Sequence, residues 1–301
     1  MRLLKDINIV THCVTDLDSE ISAWTDYLGY HVLEKSTLPG ALCAVWNTQT
    51  DEGLPYAVLG PASGAEVFIR LIQTDARSGY WPPVSWGWNV TEILVEDPDA
   101  LAYQFEESPF RRFGGPGDLY SSPKAPRAIQ TCGPAGTTLY FTRILPGGSR
   151  YGLHGAKSPV DRVFNVIVGG PSMAALRDFY LNKMGLRVSE PIPFVMTMAA
   201  EATGAPPDTL FPIAVATVRA RHCILELDEY PGTTEARDRI EGQLPGGISM
   251  VSFSVKNLGD CTVPFRAEPV AIDTAPYNGS RVAVIEGPAG EWLELIEELQ
   301  A

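Results

Sequence analysis

The sequence predicts an α+β fold made of four tandem modules, each a strand, a helix and three strands, arranged as two similar halves. The halves are visible because the tetrapeptide Gly-Pro-Ala-Gly occurs at 133–136 and again at 287–290, 154 residues later in a chain of 301 residues. An arginine precedes each copy by six residues, at Arg127 and Arg281, and a strand-like run follows each copy. A repeat of this period indicates an internal duplication and is stronger evidence of architecture than any single element.

The first module opens with an apolar run over Ile7–Val14, which predicts a buried strand. Asp16 follows at a helix-capping position, and apolar residues then recur at helical spacing between Ile21 and Leu28. Gly29 is expected to end this helix, because glycine adopts the left-handed conformation of a C-terminal cap without strain.

The second half repeats these features at an offset of 156 residues. Val163–Val168 is the strand, Ser172 stands at the capping position, and Gly185 ends the helix. A third landmark keeps the same offset, because Phe68–Ile72 aligns with Ile224–Asp228. Two inner modules are expected to begin near 90–95 and 250–255, which makes four modules in all.

The domain prediction follows from the repeat and from one loop-rich segment. We expect a first domain over residues 1–145, a linker over 146–159 and a second domain over 160–301. Pro146, Gly147, Gly148 and Ser149 are residues typical of loops, which is why the linker is placed there.

The composition argues against two classes of binding partner, nucleic acids and membranes. A hydrophobic fraction of 45% and a charged fraction of 20% are those of a globular protein. A net charge of -13 argues against nucleic acid and against anionic membrane surfaces, both of which attract basic proteins. The sequence contains no run of 18 apolar residues, so it predicts no membrane-spanning helix.

The cellular compartment is predicted from the N-terminus and the cysteines. The N-terminus lacks a secretory pattern and the five cysteines form no CxxC pair, so we expect reduced thiols and a cytoplasmic protein. The sequence leaves a homodimer open.

Three features together resemble a known superfamily. They are the strand–Asp–helix unit ending in Tyr27-Leu28-Gly29, its copy with Phe179-Tyr180 and Met184-Gly185, and the Gly-Pro-Ala-Gly strand that occurs twice. The pattern is similar to the vicinal oxygen chelate superfamily, which includes glyoxalase I, extradiol dioxygenases, methylmalonyl-CoA epimerase and bleomycin-resistance proteins. The resemblance implies a cupped, mostly antiparallel sheet in each half, helices on the convex side, and a divalent metal on the floor of the cup.

The positions that match the superfamily's metal ligands carry unusual residues here. In the second half they are Asn165, Glu226, Met250 and Glu294, and in the first half they are Ile9, Arg70, Val90 and Tyr140. The second set offers oxygen donors that suit a hard cation, although a neutral amide makes such a site weak. We therefore assign no cofactor, and keep a divalent metal on Glu226, Glu294 and Asn165 as an alternative.

Glu226, Glu294 and His222 are the predicted catalytic residues. If the two glutamates face one pocket, they cannot both ionise easily, so one should have a raised pKa and serve as general acid or base. His222 lies four residues before Glu226 and therefore on the same face of the strand. The competing interpretation is that Glu226 is the polar partner of an alternating strand and His222 is structural.

Six residues are predicted to contact the substrate, from both halves of the chain: Asn165, Met250, Arg70, Tyr140, Phe211 and Tyr277. Arg70 in an apolar cup could hold a carboxylate or phenolate, or it could pair with Glu92 inside the sheet. Residues 191–198 and the loop 200–211 could form a lid, with an apolar lining from Met196, Met198 and Phe211.

The leading functional hypothesis is an enzyme that acts on a small, apolar or aromatic oxygenated metabolite by lyase- or isomerase-type acid–base chemistry in the second half. The first alternative is a resistance-type protein that binds a hydrophobic small molecule without turnover. The second is an extradiol ring-cleaving dioxygenase with an atypical ligand set. The enzyme and the binding protein can be distinguished by whether Glu226 and Glu294 share a pocket in which the pKa of a carboxyl group is perturbed.

Overall fold

Local sequence signals place the helices of the first and third modules where they were expected. The structure, a computed structural model, describes residues 2–77, 79–82, 85–149, 151–218, 223–230 and 232–299. The Asp16 side chain accepts a hydrogen bond from the Ser19 main-chain N–H at 3.0 Å. Ser172 does the same for Ala175 at 3.2 Å. Gly29 has a φ of 66° and ends the first helix, as predicted.

Four modules follow one another along the chain. The first contains β1 (Leu4–Val14), α1 (Leu17–Leu28), β2 (His31–Thr37), α2 (Gly40–Trp46), β3 (Pro55–Gly60) and β4 (Phe68–Gln73). The second contains β5 (Gly87–Val95), α3 (Pro98–Gln104), β6 (Arg111–Asp118), β7 (Arg127–Cys132) and β8 (Thr138–Arg143). The third contains β9 (Val160–Gly170), α4 (Met173–Asp178), β10 (Arg187–Val188), β11 (Ile192–Val195), α5 (Thr197–Thr203), β12 (Leu210–Val218) and β13 (Cys223–Glu229).

The fourth module contains β14 (Ile248–Val255), β15 (Val270–Ile272), β16 (Ser280–Glu286) and β17 (Trp292–Glu297). A single 3-10 turn, Leu258–Asp260, stands where the other modules carry an α-helix, so the βαβββ pattern is incomplete here. Further short turns occupy Gln49–Asp51 and Phe105–Glu107, and a π-helical turn, Phe179–Lys183, extends α4. The α+β fold of four repeated modules is confirmed.

The modules pair across the two halves. One sheet has eight strands in the order β15-β16-β17-β14-β1-β4-β3-β2, so it combines the first and fourth modules. The other has nine strands in the order β10-β12-β13-β9-β5-β8-β7-β6, with β11 on β12, and combines the second and third. The two expected cupped sheets are present, but the sequence left open whether each forms within one half or by exchange of modules, and the strand orders show the exchange. The physical reason is that β1 pairs with β14 and β5 pairs with β9, each in antiparallel register.

Both sheets turn their convex faces, with α1, α3 and α4, toward one shared core. Trp24 of α1, Trp88 of β5, Tyr180 of the π-helical turn and Phe253 of β14 are all buried in it. The Trp88 and Phe253 rings lie 6.3 Å apart and join the two sheets. The concave faces consequently point away from each other, and each forms a separate cup.

Three further expectations concern loops, thiols and membranes. The predicted linker, residues 146–159, lies between β8 and β9, and its described residues form no helix or strand. All five cysteines are free thiols, as expected. Within the described ranges no helix has the length and apolar character needed to cross a membrane.

Candidate functional site

The cup of the eight-stranded sheet is filled by the chain itself. Helix α2 and the segment after β15 cover its concave face, and Trp46, Met250 and Tyr277 pack there in a buried apolar cluster. Arg70 and Glu294 lie at the centre of this cluster and are 1% and 0% exposed. This cup is therefore a core and not an accessible pocket.

Arg70 and Glu294 form a buried ion pair with a complete set of hydrogen bonds. The Arg70 Nη2 lies 3.6 Å from Glu294 Oε2. Glu294 Oε1 accepts from Trp46 Nε1 at 2.7 Å and from the Tyr277 hydroxyl at 2.9 Å, while Ser252 donates to Oε2. Arg70 in turn donates to the Tyr277 oxygen, and its guanidinium lies 5.0 Å from the Trp46 ring centroid. The predicted Arg70–Glu92 pair is wrong, because Glu294 takes that place.

Because the modules pair across the two halves, the positions predicted to match metal ligands come together in different sets from those expected. Ile9, Arg70, Met250 and Glu294 come together in the eight-stranded sheet, on β1, β4, β14 and β17. An apolar side chain, a cation and a thioether cannot join one carboxylate in holding a divalent metal. The residues of this cup do not fit the metal that the resemblance implies.

The other cup brings two carboxyl groups together on β13. Glu226 and Asp228 alternate with Leu225 and Leu227, whose side chains enter the shared core, so both acidic side chains face the concave side. Asp228 is 3% exposed, and Glu226 is half-buried. The prediction that Glu226 and Glu294 share one pocket is wrong, since they lie on different sheets. Asp228 is the nearer partner.

Asn165 and Glu92 support this pair from the neighbouring strands. Asn165 Nδ2 donates to Glu92 Oε2 at 2.7 Å, and its Oδ1 accepts from the Glu226 main-chain N–H at 3.1 Å. Thr142 donates to the other oxygen of Glu92. The Asn165 amide is thus occupied in joining β5, β9 and β13, which places it as a positioning residue. Val90, which matches a metal-ligand position of the superfamily, also lies on β5 and is buried.

Burial changes the protonation of the acidic cluster. It raises the pKa of Asp228 to about 8 and is also the main cause that raises the pKa of Glu92. For Glu226, burial raises the pKa well above its ordinary value, and the charges of Asp228 and Glu92 raise it further. Close carboxylates in a medium of low polarity cannot all ionise. The Glu226–Asp228 pair therefore retains at least one proton at neutral pH.

Several polar atoms at this cup have no hydrogen-bond partner within the described part of the chain. They include Asp228 Oδ1 and the hydroxyl of Tyr230, which is 2% exposed. No described residue donates a hydrogen bond to the Glu226 carboxylate. The Tyr230 ring packs against Gly169 of β9, where an added Cβ would come within 2.0 Å of it. Neither Asp228 nor Tyr230 was identified from the sequence, although both continue the alternation that begins at Glu226.

A cleft of about 960 Å³ lies beside α5. Its walls combine Phe113 and Met198 with the charged side chains of Arg77 and Arg111, and the carboxyl pair of β13 is not among the residues that line it. The Tyr140 hydroxyl lies 3.6 Å from Met198 Sδ, and the charges of Asp228, Glu226 and Glu92 all act on it. Tyr140 therefore adjoins both the cleft and the acidic cluster.

Phe211 and His222 complete the placement of the predicted residues. Phe211 is buried against Ala199 and Ala200 of α5, so it supports the helix that covers the cup. His222 lies outside the described residues. Within the described ranges, no three His, Cys, Asp or Glu side chains are arranged to hold a metal ion. With Glu92 and Asn165 already hydrogen-bonded, the described residues of this cup do not by themselves fit a three-ligand metal.

Comparison with known proteins gives a likeness of fold. No family model matches the chain, and no curated protein matches it. Glyoxalase I from Zea mays is 14% identical, with a TM-score of 0.64 over 97% of this chain and 92% of that chain. The "putative dioxygenase" from Bacillus subtilis subsp. subtilis str. 168 is 11% identical, with a TM-score of 0.63 over 100% and 87%. Since identities this low establish the fold alone, activity has to be argued from the residues present.

Proposed function

Given a chain with the fold of the vicinal oxygen chelate superfamily, we propose that the cup of the nine-stranded sheet is an active site. It would perform lyase- or isomerase-type acid–base chemistry on a small, apolar or aromatic oxygenated molecule. The observation that carries the proposal is the pair Glu226 and Asp228, two adjacent protonatable carboxyl groups on one face of β13. Pairs of carboxyl groups that share protons are a common way to run acid and base chemistry at neutral pH.

The two carboxyl groups differ in a way that suits separate roles. Glu226 is half-buried and so faces an incoming molecule, and because burial and the charge of Asp228 raise its pKa it would hold a proton and give it to that molecule. Asp228 is deeper, and with a pKa of about 8 it would lose its proton before Glu226 does and, as a carboxylate, accept one from the molecule. One proton leaves the substrate and one is returned, so the total is conserved, as an isomerisation or an elimination requires.

Two tyrosines are suited to orient the molecule. Burial raises the pKa of Tyr140 and of Tyr230 above the ordinary value, so both hydroxyls stay protonated at neutral pH and can donate hydrogen bonds. Because Tyr140 adjoins the cleft and the Tyr230 hydroxyl has no described partner, their hydroxyls are available to a substrate oxygen.

A second function is favoured by the cleft alone. Its walls include Trp81, Phe113 and Met198, which would also hold an apolar molecule that undergoes no reaction. Such a resistance-type binding protein would need the apolar walls and not the carboxyl pair. Substitution of the carboxyl groups therefore separates the two functions.

The test is proton exchange between a bound molecule and solvent. A panel of small aromatic and aliphatic hydroxycarbonyl compounds would be incubated with the protein in deuterium oxide and followed by proton NMR. Acid–base catalysis predicts deuterium incorporation or elimination, reduced by about 100-fold or more in Glu226→Gln and in Asp228→Asn. Glu241→Gln, an exposed site with the same change of charge, should leave the rate unchanged. A rate that survives in both cup variants would contradict the proposal, and ligand binding without any exchange would favour the binding protein.

A further inference from the structure

We infer that the molecule this cup takes is an organic cation, an ammonium group attached to an aromatic or aliphatic body. The inference rests on the proposed site and names the chemical class of its ligand. It starts from the acidic groups that face the cup, which are Glu226 and Asp228 on one face of β13 and Glu92, joined to them through Asn165. All three are acidic, and they come from β5 and β13.

No described basic residue compensates these charges. None of the ion pairs between described residues involves Glu92, Glu226 or Asp228. Arg237 is the one described arginine whose charge acts on Tyr230. Its guanidinium is already engaged, because it donates to the main-chain oxygens of Gly246, Ile248 and Trp88. The described part of the cup is thus an acidic site without a counter-ion.

The unpartnered polar atoms match an ammonium group. Asp228 Oδ1 and the Tyr230 oxygen are buried acceptors without a described donor, and the half-buried Glu226 lies on the same face of β13. An ammonium group carries three N–H donors and no acceptor, so it can bond all three side chains. A carboxylate or phosphate ligand would face the carboxyl groups of Glu226 and Asp228 here.

The surrounding rings favour the same ligand. Tyr140 and Tyr230 both interact with the acidic cluster, and the Phe113 ring lies 6.5 Å from that of Tyr140 in an edge-to-face arrangement. Aromatic faces attract cations, and most strongly where water is excluded. Phe113 and Met198, which lie between Tyr140 and the neighbouring cleft, would receive the body of the ligand, while the net charge of -13 attracts a cation from solution.

Cation binding must be linked to proton release. A positive charge beside Glu226 and Asp228 favours their ionised forms, so binding should expel protons that the free protein holds. Affinity is then expected to rise with pH until the free protein has lost those protons, which for Asp228 happens near pH 8.

The experiment is calorimetric titration with matched ligands. Benzylamine, phenethylamine and butylamine would be compared with the corresponding alcohols and carboxylates, in two buffers of different ionisation enthalpy. We expect at least one amine to bind about tenfold or more tightly than its alcohol, with proton release, and the carboxylates not to bind. Glu226→Gln and Asp228→Asn should each lower amine affinity by about tenfold or more, and Glu241→Gln should not.

The outcomes separate this inference from the proposed function. If the alcohols bind as tightly as the amines and lose affinity in the cup variants, the cup is the site and the cationic class is wrong. If no amine binds while deuterium exchange still depends on Glu226 and Asp228, the inference fails and the function stands. A parallel titration with manganese or magnesium chloride covers an inorganic cation, and metal binding lost in the cup variants without amine binding would overturn the inference.

Discussion

Arg70 and Glu294 lie 3.6 Å apart, Nη2 to Oε2, at the centre of a cup in which the resemblance implied a metal ion. The guanidinium supplies the positive charge inside this cup, and the cup is closed around it. The equivalent cup of the nine-stranded sheet keeps Glu226 and Asp228 and has no cation from the described residues. Among the described residues, the duplicated architecture thus contains one cup with an internal ion pair and one cup whose acidic groups have no basic partner.

The first prediction concerns the cost of breaking the buried ion pair. Arg70→Met should destabilise the protein by about 3–5 kcal/mol, because Glu294 is left as an uncompensated buried charge. Urea unfolding followed by tryptophan fluorescence measures the loss.

The double variant Arg70→Met with Glu294→Gln is the matched control. A glutamine oxygen can still accept from Trp46 and Tyr277, so most of the lost stability should return, to within about 1–2 kcal/mol of the wild type. Equal stability of the single and double variants would mean that the ion pair is not what holds the cup together.

The second prediction is a pH dependence of stability that originates at Asp228. Its folded pKa of about 8 exceeds the ordinary value of 3.8, so the native state holds a proton that the unfolded chain loses. The contribution of Asp228 is therefore fully present below about pH 4 and is lost as the pH rises through 8. Asp228→Asn should flatten the stability curve over this range.

Thermal unfolding across that range tests the prediction. Near pH 8.5 the Asp228→Asn variant should unfold at a higher temperature than the wild type, by roughly 2–4 °C or more. Glu241→Gln should run parallel to the wild type. A wild-type curve that is already flat would show that Asp228 is not protonated in the native state.

The repeated tetrapeptide carries the third prediction. Glu20 of α1 accepts from the Ala135 main-chain N–H at 3.0 Å and from Trp24 Nε1 at 3.3 Å. Burial raises its pKa to about 7. Glu291 does the same at the second copy, where it accepts from Ala289 at 2.8 Å and from Tyr180 at 3.0 Å. Each Gly-Pro-Ala-Gly turn is therefore anchored by a buried carboxyl group.

Glu20→Ala should lower stability by about 1–3 kcal/mol at pH 4, because it leaves buried donors without an acceptor. Glu20→Gln keeps an acceptor and should be close to the wild type at that pH. As the pH rises from about 4.5 through 7 the Gln variant should become the more stable protein, since the unfolded chain loses the Glu20 proton over this range while the native state retains it. Chemical unfolding at two pH values distinguishes these results, and an equal loss for Ala and Gln would refute the anchoring role.

Local features of the fold were predictable from the sequence because their causes are local. Asp16 and Ser172 cap their helices through hydrogen bonds to residues three positions away. Phe68–Ile72 and Ile224–Asp228 do lie in equivalent strands, β4 and β13, each parallel to the first strand of its module.

The pairing of modules was not predictable in the same way. Strands β5 and β14 are both buried along their whole length, so the hydrophobic pattern does not indicate which of them pairs with β1. Asp228 was missed for a related reason. A polar residue on an alternating strand is equally typical of a solvent face, and only the cover from α5 and neighbouring strands buries it. The sequence signal that could have identified Asp228 is the alternation that places residues 226, 228 and 230 on one face of the strand.

The fourth prediction tests the floor of the acidic cup. An added Cβ at Gly169 would meet the Tyr230 ring at 2.0 Å, so Gly169→Ala must displace that ring and its hydroxyl. Amine affinity, measured by the same calorimetry, should fall by about tenfold or more. Stability should fall as well, by about 1–3 kcal/mol, because the ring is packed. Gly117→Ala on β6 is the matched control, since no heavy atom lies within 4 Å of its added Cβ, and it should change neither quantity. Tyr230→Phe separates the two effects, because it keeps the ring and removes only the hydroxyl. If Gly169→Ala binds the amine as the wild type does, Tyr230 is not part of the ligand site.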